Sequence, residues 1–229
     1  MSNCEPDPRR NCAPKPYVID VHTHVQPDPH DPSQTLPDMA AIGLYGFAKM
    51  EAIPCTKEAW LLKPDGSKLR KVDETLWSIE RRMRDCDERG VSAHVLSTVP
   101  ILMSYHAPEG AAVTWTEFLN NHMADAVALK PDRLVGLGTV PMQHPDLAVA
   151  ELERCRALGL AGIQIGSHVN EAPLHDAKFL KIFKKAEELD MAIFVHPWDM
   201  MGSVLMKDYF LPCAQANCET TAALIRTIS

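Results

Sequence analysis

Two histidines separated by a single residue are the part of this chain most suited to chemistry. His22 and His24 follow the run Tyr17-Val18-Ile19-Asp20-Val21, whose apolar and β-branched residues predict a strand. Successive side chains alternate across a strand, so His22 and His24 project from one face, where their imidazoles can bind a single cation. Asp20 lies on that face as well. The segment predicts a metal site at the end of the first strand.

A third histidine follows a second, distant apolar run. Residues 191–195 predict another strand, His196 ends it, and Pro197 halts it. If the two strands share a sheet, three histidines converge. A His-x-His pair alone also arises with one ring solvated and the other hydrogen-bonded, so the second strand is what favours a metal.

Length and composition narrow the class of protein. A chain of 229 residues with 46% hydrophobic content can bury the core of one domain. A net charge of -7 argues against a nucleic-acid or membrane-surface partner, because both bind basic faces. Residues 1–16 predict a disordered leader without the apolar core of a secretory signal. No apolar run approaches the roughly 20 residues that span a bilayer, and the cytosol is the expected compartment.

Strand-like and helix-like runs alternate along the rest of the chain. Predicted helices begin near Asp73, at a capping box of Thr114 and Glu117, at Pro145 and at Asp176, and predicted strands cover 91–99, 134–140 and 161–166. This alternation predicts a parallel sheet with its ligands at the carboxyl ends of the strands. No Gly-x-Gly-x-x-Gly turn follows the first strand, which favours a TIM-type (β/α) barrel over a Rossmann sheet.

The predicted barrel has two irregular features. Residues 25–72, between the first strand and the first helix, are expected to form an irregular substrate-loop insertion, and residues 17–229 as a whole the barrel domain. Five strands are predicted, whereas a closed barrel has eight, so the barrel is expected to be incomplete at its C-terminal side.

Five motifs along the chain resemble one enzyme family. They are Asp20-Val-His-Thr-His24, Leu96-Ser-Thr-Val-Pro100, Val135-Gly-Leu-Gly-Thr-Val-Pro-Met142, Gln164-Ile-Gly-Ser-His-Val-Asn-Glu171 and Phe194-Val-His-Pro-Trp-Asp-Met200. From Tyr17 onward the chain resembles the 2-amino-3-carboxymuconate-6-semialdehyde decarboxylase family of the amidohydrolase superfamily. The first motif alone would indicate only the superfamily.

The resemblance implies a zinc-dependent, oxygen-independent decarboxylase of tryptophan catabolism, at the kynurenine branch that otherwise leads to quinolinate. It implies that His22, His24 and His196 are zinc ligands, although imidazoles also suit other divalent transition metals. It implies a small-molecule substrate and a homodimer in the full-length family. The family's catalytic histidine and metal-binding aspartate are expected beyond residue 229, so no catalytic residue is assigned within this chain.

The resemblance also implies substrate contacts from Lys63 and Arg70, in the loop 63–70, and a pocket wall from Trp198. Arginine suits a carboxylate because its planar fork pairs with both oxygens. From the residues alone, Arg70 is more simply a solvated loop charge, and Trp198 is equally well a core side chain. His168 ends the fourth predicted strand on the side of the site and is a further candidate for lining the pocket.

Two other classes of function stay open at this stage. A metal hydrolase of the same superfamily would use the same histidine pair to activate water and would carry a metal-bridging lysine on a middle strand, where the predicted strands have none. A non-catalytic, truncated subunit would instead bind the full-length enzyme through exposed barrel edges.

Overall fold

The computed structural model describes residues 16–34, 49–62, 66–197, 220–221 and 223–224. In chain order the elements are β1 (Ile19–Val25), β2 (Lys49–Ala52), β3 (Glu58–Leu62), β4 (Lys68–Asp73), α1 (Ile79–Arg89), β5 (Ala93–Thr98), α2 (Glu109–Ala128), β6 (Leu134–Gly138), α3 (Pro145–Ala157), β7 (Gly162–Gly166), β8 (His168–Val169), β9 (Ala172–Pro173), α4 (Leu180–Glu188) and β10 (Ala192–His196). Among these residues no helix combines the length and apolar character needed to cross a bilayer.

Five strands form one parallel sheet in the order β1-β5-β6-β7-β10. The helices α1 to α4 each connect two neighbouring strands of this sheet, which is the repeated unit of a (β/α) barrel. The predicted fold class is confirmed. The described part of the chain contributes five strands to this parallel sheet, fewer than the eight that close such a barrel.

The main core lies between the sheet and its helices. Leu96 on β5 and Ile163 on β7 are fully buried, as are Met123, Leu152 and Phe179 from the helical layer. Every residue of β7, and every residue of β5 except the partly buried Val95, is buried, as expected for parallel strands covered on both faces. The sheet is thereby held as a rigid support for the residues at its strand ends.

A serine caps the start of α1, and glycines follow the ends of α1 and α3. The Ser78 hydroxyl accepts a hydrogen bond from the amide of Arg81 and caps α1. Gly90 (φ 71°) and Gly159 (φ 81°) adopt left-handed backbone just after α1 and α3, confirming both predicted ends. Asp73 and Asp176 cap short 3₁₀ turns that precede α1 and α4, not the α-helices themselves.

The predicted start of α2 at Thr114 is wrong, because the helix begins at Glu109 after Pro108. Thr114 lies inside the helix, where its hydroxyl donates a hydrogen bond to the carbonyl of Gly110. Ala111 and Ala112 extend the helix upstream, since both are strong helix formers and both are buried in a cluster with Trp115 and Leu119.

The predicted irregular insertion contains regular structure. Strands β2, β3 and β4 form an antiparallel sheet, with β3 in the centre. Leu61 and Leu62 of β3 are buried, whereas most of β4 is exposed. This small sheet carries Arg70 on β4 and brings it towards the carboxyl end of β1.

Candidate metal centre and substrate cavity

Three histidines converge at the carboxyl ends of β1 and β10. The ring centroids of His22 and His24 lie 5.1 Å apart, and His196 lies 4.9 Å from His22 and 5.2 Å from His24. Each ring offers one nitrogen within 4.8 Å of the nitrogens of the other two. The three imidazoles predicted as metal ligands are therefore brought together.

The curl of the sheet is what makes this convergence possible. β1 and β10 are its two edge strands, four strand intervals apart. In a flat sheet with the usual spacing, such edges would be about 19 Å apart. The observed ring separations require the sheet to bend round as a barrel wall does, so that opposite edges approach each other.

The environment of the cluster favours neutral imidazoles. Burial, together with the neighbouring His196 and His22, lowers the pKa of His24 to about 4. Burial also lowers the pKa of His196. The Nδ1 atom of His24 lies 3.1 Å from both the Ser97 hydroxyl and the Thr98 carbonyl oxygen. Nε2 of His24 is then the nitrogen available to a cation, and a neutral imidazole is the form that binds one.

The His196 ring also carries its proton on Nδ1. Its Nδ1 atom is 2.6 Å from the carbonyl oxygen of Pro197, which can only accept, so Nδ1 carries the proton. A histidine that ligates a metal through one nitrogen commonly donates from the other to a carbonyl oxygen. The donor set therefore fits a divalent cation that accepts imidazole ligands.

A cavity of about 320 Å³ adjoins this cluster. His24 lines it from β1 and Arg70 lines it from β4, so a candidate metal ligand and the predicted carboxylate-binding residue share one space. The other described lining residues are Gln26, Glu58, Leu61, Lys71, Val72, Asp73, Thr75, Leu76 and Val99. Four of the lining residues are apolar (Leu61, Val72, Leu76 and Val99), and the others supply polar and charged groups that can orient a small molecule.

The other charged side chains that line the cavity have partners other than Arg70. Lys71 forms an ion pair with Glu58 at 2.8 Å. The carboxylate of Asp73 accepts hydrogen bonds from the amide and hydroxyl of Thr75, which lower its pKa. Among the described residues Arg70 forms no ion pair. Its guanidinium can therefore meet an anionic ligand without breaking an ion pair to any residue that the structure describes.

Of the three remaining predicted substrate residues, Lys63 and Trp198 fall outside the described residues. His168 is buried, its Nδ1 is hydrogen-bonded to the carbonyl oxygen of Asn170, and it is absent from the described lining of this cavity. Its assignment to substrate binding stays a prediction.

Three buried polar residues that hydrogen-bond to His24 or to its partners were not predicted from the sequence. Ser97, near the carboxyl end of β5, is 3% exposed, and Gln164, the middle residue of β7, is 1% exposed. Arg82 is also buried, and its guanidinium donates to the carbonyl oxygens of His24 (2.6 Å) and Thr75 (2.9 Å). A glutamine within the apolar run of β7, and an arginine on the apolar stripe of α1, were the available signals.

The curled parallel sheet, with three histidines at its strand ends, defines a (β/α)-barrel protein with a candidate centre for a divalent metal. The chain belongs to the amidohydrolase family, because the sequence profile of that family matches residues 19–227.

Relatives with curated names confirm the resemblance seen in the motifs. The chain is 36% identical over 197 residues to the 2-amino-3-carboxymuconate-6-semialdehyde decarboxylase of Dictyostelium discoideum, covering 85% of this chain and 52% of that protein. It is 28% identical to the protein of the same name in Caenorhabditis elegans, covering 93% of this chain and 64% of the relative. The chain thus spans about half to two thirds of the length of these relatives.

A solved structure shows the same fold at comparable identity. It is a 5-carboxyvanillate decarboxylase of Novosphingobium aromaticivorans, complexed with manganese and a nitrobenzoic acid derivative. This chain matches it with a TM-score of 0.60 and 32% identity, over 68% of this chain and 46% of the other.

Proposed function

We propose that this chain carries the metal ligands and the substrate carboxylate site of a metal-dependent, non-oxidative decarboxylase. The substrate we propose is 2-amino-3-carboxymuconate 6-semialdehyde, which the names of the two curated relatives supply. The observation that carries the proposal is the convergence of His22, His24 and His196 next to the cavity that Arg70 lines.

The three histidines would hold one divalent metal ion, and we propose zinc. Imidazole ligands favour zinc over manganese, the metal bound in the Novosphingobium structure, but they suit other divalent metals such as iron equally well. Such an ion, when bound, acts as a Lewis acid that withdraws electron density from a substrate oxygen. The low pKa of His24 keeps that ring neutral and competent to bind metal at neutral pH.

The cavity residues would bind and orient the substrate. Arg70 would pair with a carboxylate through two parallel hydrogen bonds, fixing the plane of that group. Leu61 and Leu76 would exclude water from the apolar part of the substrate. The carbon–carbon bond to the departing carboxylate breaks, its electron pair enters the conjugated system, and a proton takes the place of carbon dioxide. Lys63 and Trp198 are proposed as further substrate contacts.

No general acid for that proton is assigned within this chain. The proton donor would come from outside the residues given a role here, and general acid–base catalysis of this kind contributes roughly 10²- to 10⁴-fold. The setting we propose is the kynurenine pathway of tryptophan catabolism in the cytosol, where the reaction limits quinolinate formation. A homodimer is the proposed assembly of the full-length form.

A non-catalytic subunit that binds the full-length enzyme is a second candidate. Exposed apolar side chains on and before the edge strand β1 favour it, since Tyr17 is 69%, Ile19 51% and Val21 56% exposed. A hydrolase is disfavoured because the five described strands of the parallel sheet contain no lysine to bridge metals.

The test is to purify the chain, determine bound metal by elemental analysis, and follow loss of freshly generated semialdehyde together with release of carbon dioxide. Metal-dependent release of carbon dioxide that falls on chelation supports the decarboxylase. Folded protein that binds no divalent metal would contradict the proposal. Stable co-purification with a full-length relative, without turnover by the chain itself, supports the non-catalytic subunit instead.

A further inference from the structure

A buried chain of hydrogen bonds leads from the centre of β7 to the His24 ring. Gln164 of β7 accepts a hydrogen bond from the Ser97 hydroxyl through Oε1 at 2.7 Å. Its Nε2 donates to the carbonyl oxygen of Thr98 at 2.9 Å. Ser97 and Thr98 are also the two groups that face Nδ1 of His24. Gln164 is thus hydrogen-bonded to both groups that face Nδ1 of His24.

The direction of each hydrogen bond follows from what each group can do. The Thr98 carbonyl can only accept, so the amide nitrogen of Gln164 must face it and the amide oxygen must face Ser97. Ser97 has a single hydroxyl proton, and it points to Gln164, with the Thr23 carbonyl at 3.3 Å as the weaker acceptor. The Ser97 oxygen is left to accept from His24.

Both groups that face Nδ1 of His24 are therefore acceptors. If Nδ1 lacked a proton, its lone pair would point at two oxygen lone pairs in a buried site, which is unfavourable. Without Gln164 the Ser97 hydroxyl could turn and donate to Nδ1, placing the imidazole proton on Nε2. That tautomer would point its proton at the other two histidines, where the cation belongs.

We infer that Gln164 and Ser97 are positioning residues that hold His24 in the Nδ1-protonated tautomer, so that its Nε2 lone pair faces the metal. The inference rests on the proposed metal-binding role of His24. Hydrogen-bonded partners of this kind commonly change metal affinity by roughly 10- to 100-fold when removed. They act through the ring they orient, and neither is among the described residues that line the cavity.

The first test measures zinc affinity by competition with a chelating dye. Gln164→Met keeps the side-chain length and removes both polar contacts, and Ser97→Ala removes the acceptor. Both are expected to weaken zinc binding roughly 10- to 100-fold, and Ser97→Thr, which keeps the hydroxyl, is expected to restore it.

The matched control is another buried amide. Asn120 joins α2 to the segment after β6 by donating to the Thr139 carbonyl and accepting from the Thr139 amide, both at 2.8 Å. Asn120→Ala should lower the melting temperature without changing the zinc dissociation constant. If Gln164→Met and Ser97→Ala also lower only the melting temperature, the two residues are merely structural and the inference is wrong. Should Gln164→Met fail to fold, Ser97→Ala alone decides between these results.

A second readout needs no metal. In the metal-free wild-type chain, ¹⁵N NMR of the His24 ring should show a protonated Nδ1 and an unprotonated Nε2, and Gln164→Met or Ser97→Ala should move the ring towards a mixture. A wild-type chain with this tautomer that binds no zinc would overturn the proposed function while leaving the tautomer assignment standing. A wild-type ring protonated on Nε2 would overturn the inference itself.

Discussion

The imidazole rings of His22 and His196 lie 4.9 Å apart, although they belong to strands on opposite edges of the parallel sheet. Neither strand could place these rings together by local geometry. The contact depends on the curl that β5, β6 and β7 impose on the sheet between them. The candidate metal centre is therefore a tertiary feature, and it can form only when the whole curved sheet is folded.

Loss of either edge histidine should empty the centre. His22→Ala and His196→Ala each leave two imidazoles, fewer than the three protein ligands typical of catalytic zinc. Zinc content, measured by elemental analysis of folded protein, is expected to fall from about one ion per chain to a minor fraction. His30→Ala, which removes an exposed histidine that is not a member of the cluster, should leave it unchanged. Full occupancy in His196→Ala would show that residue 196 is not a ligand.

Arg70 should act on substrate binding. Arg70→Lys keeps the positive charge but loses the planar fork, and the loss of one charge-assisted hydrogen bond costs about 1.5–3 kcal/mol. The ratio kcat/KM for the semialdehyde is expected to fall about 10- to 100-fold, mainly through KM. Zinc content should not change. Arg84→Lys is the control, because Arg84 is an exposed arginine of α1 outside the cavity. Equal values of kcat/KM in both variants would show that Arg70 does not bind the substrate.

The predictable parts of the structure were those set by local chemistry. Gly90 and Gly159 could be recognised as helix ends because left-handed backbone favours glycine. The histidines could be placed because parallel strands bring functional residues to their carboxyl ends. The start of α2 was not predictable from Thr114 and Glu117, since their capping-box spacing occurs by chance inside a helix that packing extends upstream.

The supporting residues could not be assigned from sequence for a different reason. The role of Gln164 depends on β5 and β7 presenting side chains to the same interior, although β6 separates them in the sheet. That proximity exists only once the sheet is curved. Arg82 was similarly hidden, because its partners on β1 and before α1 are fixed only by tertiary packing.

Gly162 is needed where β7 and β10 pair. A Cβ atom at this position would collide with the carbonyl oxygen of Ala192, its partner in the parallel ladder. Gly162→Ala is expected to destabilise the chain by about 1–3 kcal/mol in urea unfolding, as overpacking does. It should also weaken zinc binding, because His196 is on the displaced strand. Gly110→Ala, with nothing within 4 Å of the added carbon, should instead stabilise α2 by about 0.5–1 kcal/mol. Equal stability of the two variants would show that β10 does not pack against Gly162 as described.

The stability of the chain should depend on His122 between pH 7 and pH 5. Burial on α2 lowers the pKa of His122 to about 4, below the ordinary value of 6.5. The unfolded chain therefore binds more protons than the folded chain in this window, so stability is present above pH 6.5 and is lost as the pH falls. For one histidine shifted this far, the loss from pH 7 to pH 5 is about 2 kcal/mol.

His122→Gln should remove that part of the pH dependence, measured as the difference between the free energies of unfolding in urea at pH 7 and pH 5. Phe118→Leu is the control, since Phe118 lines the same cavity of about 370 Å³ as His122 but has no titratable group. It should lower the free energy of unfolding equally at both pH values. If His122→Gln kept the full wild-type loss, other groups with lowered pKa values, such as His24 and His94, would have to carry it.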